Sequence, residues 1–235
     1  METKVFNLII LDESGSMECI KKQALSGLNE TLQTIRKAQE KYPEQKQLVS
    51  IVPFESDNIR LLRDKEPISM VKDLKPEEYN PGTCTPLYDA IGYGISSIKY
   101  AVDDDDTVLV TIITDGYEND SKEYNGRSIA ELIKHMKVQG WMFTYIGANQ
   151  DAVEVAKSMN IHNALNFDQD VEGTKKMFAK ENQCRSRLYD AIESACMISP
   201  TAKRQLTDIM EDRNVFFSDN YDEELKDIFE ALKLK

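Results

Sequence analysis

Three short segments of this chain carry closely spaced oxygen donors: Asp12-Glu13-Ser14-Gly15-Ser16, Gly82-Thr83-Cys84-Thr85-Pro86-Leu87 and Thr114-Asp115-Gly116. In the first, the alternate residues Asp12, Ser14 and Ser16 can face one side of a tight loop, with Gly15 allowing the backbone to turn. Thr85 adds a third hydroxyl and Asp115 a second carboxylate. Thr83 competes with Thr85 for the role in the second segment. A donor set made only of oxygen suits a hard cation, and Mg²⁺ is the first choice because it is bound by few carboxylates and retains several waters; Mn²⁺ and Ca²⁺ are the alternatives.

These donors act together only if the fold brings the three segments to one place. Val5 to Leu11 is apolar, rich in β-branched residues and cut off at Asp12, which predicts a buried strand. From Met17 the apolar positions recur every three or four residues as far as Ile35, predicting a helix that ends ahead of Pro43. Leu48 to Phe54 is a second strand, and Asn58 to Leu62 with Pro67 to Val71 form a weaker hairpin or edge. A second helical stripe runs from Leu87 to Ile98, with Thr85 placed as its N-cap and Pro86 at its first position. Thr107 to Thr114 and Trp141 to Ile146 read as strands, with a helix around Ile129 to Met136 between them. A helix over Asp151 to Met159 and a short strand over Ala164 to Phe167 follow.

Strands and helices thus alternate up to Phe167, the pattern of an α/β fold with a doubly wound, mostly parallel central sheet and helices on both faces. In such sheets ligands bind beyond the carboxyl ends of the strands, where the three donor segments lie. The predicted organisation is one such domain over residues 1–168 and a helical C-terminal extension over 169–235. In the extension, Val171 to Met197, 201–212 and 222–233 read as helices, serving as a cap on the domain or as a separate interaction element.

Within this frame the donors resemble a known pattern. Asp-x-Ser-x-Ser after the first strand, a Thr ahead of a helix and an Asp closing an apolar strand are similar to the metal-ion-dependent adhesion site of von Willebrand factor A domains. The wording Asp12-Glu13-Ser14-Gly15-Ser16-Met17, Thr85-Pro86-Leu87-Tyr88-Asp89-Ala90-Ile91 and Ile113-Thr114-Asp115-Gly116 resembles bacterial members, including proteins linked to tellurium resistance. The resemblance spans Val5 to Phe167. It implies that Ser14, Ser16 and Thr85 bind the ion directly, and that Asp12 and Asp115 do so directly or through water. It further implies a non-catalytic scaffold or adaptor in which an Asp or Glu from a protein partner completes the coordination.

Bulk properties narrow the function classes. With 41% hydrophobic residues the chain can bury a substantial core, yet no apolar run approaches the ~20 residues that cross a bilayer. The N-terminus lacks the small-residue cleavage site of a signal peptide. A net charge of −12 is repelled by nucleic acid and by anionic lipid, so neither is an expected partner. Cys19, Cys84, Cys184 and Cys196 are scattered and form no CxxC pair, which favours reduced thiols and a cytoplasmic setting.

Two other readings compete. A haloacid-dehalogenase-type phosphatase also ends an apolar strand in Asp beside Mg²⁺, and Asp12, Asp115 and Asp120 could be assigned to it. That chemistry needs a second Asp two residues after the first, where this chain has Ser14. A structural scaffold with a vestigial site is the other reading, and the presence of all five donors counts against it. His135 and His162 stand in no catalytic pattern, and Ser14 has no nucleophile-elbow glycines around it.

Overall fold

The computed structural model describes residues 3–56, 58–148, 151–199 and 201–233. Seven strands form a single sheet: β1 (Thr3–Asp12), β2 (Gln45–Glu55), β3 (Asn58–Ile59), β4 (Arg63–Pro67), β5 (Thr107–Thr114), β6 (Trp141–Ala148) and β7 (Asn163–Phe167). The order is β3-β2-β1-β5-β6-β7, with β4 also pairing with β2. Pairings among β1, β2, β5, β6 and β7 are parallel, and β3 and β4 run antiparallel to β2. The chain steps from β1 outward to β2 and later returns to the other side of β1 as β5. The carboxyl ends of β1 and β5 therefore flank the switch in strand order, where an open α/β sheet leaves a crevice.

Alternate side chains of β1 go to opposite faces, as strand geometry requires. Val5, Ile9 and Leu11 enter one hydrophobic cluster, while Phe6, Leu8 and Ile10 enter the other. Helices α2 (Leu87–Ile98), α3 (Gly126–Val138) and α4 (Ala152–Ser158) cover the second cluster. The first lies under α1 (Lys21–Lys41) together with α5 (Val171–Cys196), α6 (Ala202–Asp212) and α7 (Tyr221–Lys233). Met177, Phe178, Leu188, Leu206, Met210 and Ile228 of the last three helices share that cluster with β1 and α1. The approach of α5 to α1 is close: a Cβ on Gly27 would lie 2.0 Å from the ring of Phe178.

A polar row crosses the middle of the sheet beneath α5. Arg185 is fully buried, and its guanidinium donates to Asn7 Oδ1 in β1, Thr111 Oγ1 in β5 and Glu181 Oε1 one turn earlier, each at 2.8 Å. Tyr189 donates to the same Asn7 oxygen at 2.6 Å, and Thr144 of β6 donates to Thr111 at 3.1 Å. A buried cation is tolerated because every face of it meets an acceptor.

Several local readings shift. Gly15–Ile20 is a 3₁₀ segment ahead of α1, so the regular helix starts four residues after Met17. The edge strand lies at Arg63–Pro67 and not at Pro67 to Val71: beyond the bond from Ile68 N to Gln47 O the chain turns, burying Ile68 and Val71. Thr85 does not cap α2. Pro86 stands at the cap position, and the Glu118 carboxylate accepts from Tyr88 N at 3.0 Å instead, which leaves the Thr85 hydroxyl available elsewhere.

Candidate metal centre

Leu11 of β1 pairs with Ile113 of β5, so Asp12 and Thr114 finish side by side and Asp115 projects one residue further. Asp12 is buried, and both its oxygens are in use: Oδ1 accepts from Ser14 N at 2.7 Å and Oδ2 from Thr114 Oγ1 at 2.6 Å. The first of these closes a turn over Glu13. Ser14 Oγ and Ser16 Oγ are 3.1 Å apart, and Ser16 Oγ donates to Asp115 Oδ1 at 2.7 Å. Thr85 is buried, and its hydroxyl lies against Gly116, where a Cβ would come within 3.2 Å of Thr85 Oγ1. All five predicted donors thus line one small region at the carboxyl ends of β1 and β5.

Around them the backbone is tightly braced. Glu13, also buried, ion-pairs with Arg60 and accepts from Asn80 N, while Gly82 N donates to Glu13 O at 2.7 Å and Gly15 N to Thr83 O at 3.1 Å. Tyr79 donates its buried hydroxyl to Asp12 O at 2.7 Å. A Cβ on Gly15 would meet Gly82 O at 2.5 Å, so glycine is needed here for close approach. Thr83, the competing donor, is turned away: its hydroxyl donates to Glu55 Oε2 at 2.7 Å.

Other residues with a part in this region carried no motif. Asn119 Oδ1 accepts from Thr85 N at 2.8 Å and its own N–H donates to Thr85 O, fixing the second segment against the third. Asp89 accepts from the backbone N–H groups of Lys122, Glu123 and Tyr124, holding the loop that follows Asp115. Gln169, between β7 and α5, donates to Ser16 O at 2.8 Å and to Asp115 Oδ2. The only sequence hint for the first two is that they fall within or beside the donor segments; nothing marks Gln169, which is distant in the chain.

Electrostatically the region is short of positive charge. Burial raises the Asp12 carboxyl to about 6, against the hydrogen bonds from Thr114 and Ser14 that favour its ionised form, and nearby Asp115 adds to the rise. Burial also raises Asp115, countered by Ser16 and Gln169. Among the described residues neither carboxylate has an ion-pair partner. No group of three or more His, Cys, Asp and Glu side chains among those residues is arranged to hold a metal. The set at this site is of a different kind, with two carboxylates and three hydroxyls. That composition fits a hard divalent cation, whose charge would offset the two acids while the neutral hydroxyls leave it a strong Lewis acid.

No family model and no curated protein sequence matches the chain. Solved structures do match it. A von Willebrand factor type A protein from Catenulispora acidiphila superposes with a TM-score of 0.53 at 14% identity, covering 77% of this chain and 42% of that one. The vWF domain of the type V pili tip protein Mfa5 from Porphyromonas gingivalis gives 0.53 at 8% identity, covering 78% and 96%. The PilB minor pilin from Streptococcus sanguinis gives 0.53 at 14% identity, covering 79% and 61%. The chain therefore spans under two thirds of the Catenulispora protein and of PilB, and at these identities the likeness is one of fold. In its mostly parallel sheet flanked by helices, this chain has the α/β fold of these von Willebrand factor A neighbours.

Proposed function

We propose that Asp12, Ser14, Ser16, Thr85 and Asp115 hold one divalent cation, Mg²⁺ in the first instance with Mn²⁺ or Ca²⁺ as alternatives. On this reading the ion captures an Asp or Glu side chain of a protein partner, and the chain works as a non-catalytic scaffold or adaptor. The observation that carries the reading is the pairing of two buried acids, without a cationic partner among the described residues, with three hydroxyls at the switch point of the sheet. Burying carboxylates in this way is costly unless a positive charge joins them. The neighbours in fold include a minor pilin and a pilus tip protein, which supports a role in binding other proteins.

The five side chains divide the work. Ser14, Ser16 and Thr85 offer neutral oxygens, and Asp12 and Asp115 supply the negative charge that selects a divalent ion. The bonds donated by the Thr114 hydroxyl and the Ser14 backbone N–H keep Asp12 oriented. A bound divalent ion supplies Lewis acidity to a carboxylate arriving from outside. Ser14 at the place where a dehalogenase-type phosphatase needs its second Asp favours binding over phosphoryl transfer. A reducing, cytoplasmic setting belongs to the same proposal, supported by four cysteines that are all unpaired.

Calorimetric titration of the metal-free chain with Mg²⁺ tests the reading. One site is expected, lost in Asp12→Ala and in Thr85→Ala while both variants keep their cooperative unfolding. Uptake of metal by both variants at the wild-type affinity would sink the assignment. Partner capture from the native source should then disappear in chelator; capture that persists in chelator removes the metal from the interaction.

A further inference from the structure

Among the described residues, Gln169 is the one hydrogen-bond contact to the five donors that comes from the C-terminal third of the chain. Its Nε2 donates to Asp115 Oδ2 and to Ser16 O, while Ser16 Oγ donates to Asp115 Oδ1. Both oxygens of Asp115 are thereby engaged by donors of this chain, one from the β1 segment and one from the β7–α5 connection.

The placement of Gln169 is fixed from behind. Asp170 N donates to Asp168 O at 2.8 Å, Asp170 Oδ1 caps α5 at Gly173 N at 2.7 Å, and Thr174 Oγ1 donates to Asp170 O at 2.6 Å. A Cβ on Gly173 would lie 2.2 Å from Asp168 O, so the turn has no slack there. Helix α5 is itself anchored through Arg185 to Asn7 and Thr111 in the sheet. Gln169 thus reaches the site from a rigid support and not from a loose loop.

We infer that Gln169 is a positioning residue of the metal centre that keeps Asp115 from binding the ion directly, so that Asp115 holds it through water and the ion stays receptive to an external carboxylate. The inference rests on the metal-centre reading above. A carboxylate oxygen that already accepts a hydrogen bond has less electron density to offer a cation, and an ion that receives less charge from its own protein binds an incoming anion more strongly. Loss of the amide frees Asp115 Oδ2 to bind the ion. Metal affinity then rises and carboxylate affinity falls, so one side chain trades the first against the second.

The test uses the full chain with Gln169→Met, close in size but without the donor, and Gln169→Ala. Mg²⁺ affinity is read by calorimetry. Acetate serves as the carboxylate probe, its binding read from the proton relaxation that Mn²⁺-loaded protein imposes on it. Loss of one charge-assisted hydrogen bond predicts Mg²⁺ binding tighter by about tenfold and acetate binding weaker by a similar factor. A merely loosened site would weaken both together, and that result overturns the inference. So do both affinities remaining within about twofold of wild type, the usual scatter between variants. A third measurement needs no variant: the side-chain amide resonances of Gln169 should keep their hydrogen-bonded shifts when Mg²⁺ is added, and their release on metal binding also overturns it. If the wild-type chain takes up none of Mg²⁺, Mn²⁺ and Ca²⁺, the metal centre itself falls; if it takes up metal and the variants fail the opposite-shift pattern, only the role of Gln169 falls.

Discussion

Thr114 Oγ1 donates a 2.6 Å hydrogen bond to Asp12 Oδ2, joining the ends of two adjacent parallel strands through a buried acid. The same hydroxyl accepts from Gly116 N at 3.1 Å, so it also orients the turn that carries Asp115. Thr114→Val keeps the shape and removes both functions. Mg²⁺ affinity at neutral pH is expected to fall by about tenfold, the scale of one hydrogen bond to a charged group, whereas Thr114→Ser retains it. Calorimetry on the two variants checks this, and equal affinities would show that Asp12 is held by other means.

The buried acid also makes metal-free stability depend on pH. Asp12 titrates at about 6 in the folded chain against 3.8 for an ordinary Asp, so between those values the native state holds a proton that the unfolded chain has released. Its contribution is therefore fully present below 3.8 and is lost as pH rises through about 6. Relative to Asp12→Asn, the wild type is expected to lose about 2–3 kcal/mol between pH 4 and pH 7, since each tenfold difference in proton affinity between the folded and unfolded chain is worth about 1.36 kcal/mol. Urea unfolding of both proteins in chelator gives this difference directly, and a flat difference across the range contradicts it. Saturating Mg²⁺ should cancel the loss, because the ion binds only the folded, ionised site.

Arg185 and Glu181 form an ion pair in the interior, one turn apart on α5, with Nη2 2.6 Å from Oε1. Arg185→Met strands Glu181 and removes one of the two donors that Asn7 Oδ1 and Thr111 Oγ1 each receive, for an expected cost of about 3–5 kcal/mol. Arg185→Met combined with Glu181→Leu should cost clearly less than the sum of the single changes, since no lone charge remains. Unfolding midpoints of the three variants measure the coupling. Additive costs would mean that the pair does not act as a unit.

Gly27 faces the Phe178 ring where α1 and α5 touch. Alanine is the better helix former by about 1 kcal/mol, yet its methyl would overlap the ring. Gly27→Ala is expected to destabilise by about 1–2 kcal/mol net, from overpacking, and Phe178→Leu in the same chain should recover part of that. Thermal unfolding of the single and double variants decides it; a stabilised Gly27→Ala would show that α5 yields at this contact.

Much of the fold was legible because the apolar pattern has a period. The run from Val5 to Leu11 and the stripe through Leu28, Leu32 and Ile35 locate β1 and α1 with no knowledge of what they pack against, since burial on one side is set by spacing alone. The edge strand was less legible: Arg63–Pro67 is charged, and its place is decided by its pairing with β2, which composition does not encode. Thr85 ahead of Pro86 looked like a helix cap for the same reason, because capping depends on which acceptor the tertiary fold delivers. That acceptor is Glu118, thirty residues away from Tyr88.

That Asp12, Ser14, Ser16, Thr85 and Asp115 come together could be read from the sequence because each sits at the end of a strand or the start of a helix, and element order fixes which ends share an edge of the sheet. Local spacing could not say that Thr83 turns to Glu55, that Asn7 of β1 and Thr111 of β5 both receive Arg185, or that Gln169 returns to Asp115. Those contacts join residues 28 to 178 positions apart, and they exist only once the sheet and its two helical layers have closed around them. The sequence by itself determined the alternating elements and the chemistry at their ends. The tertiary structure decided which buried polar groups find one another, because a hydrogen bond depends on positions in space that no local pattern specifies.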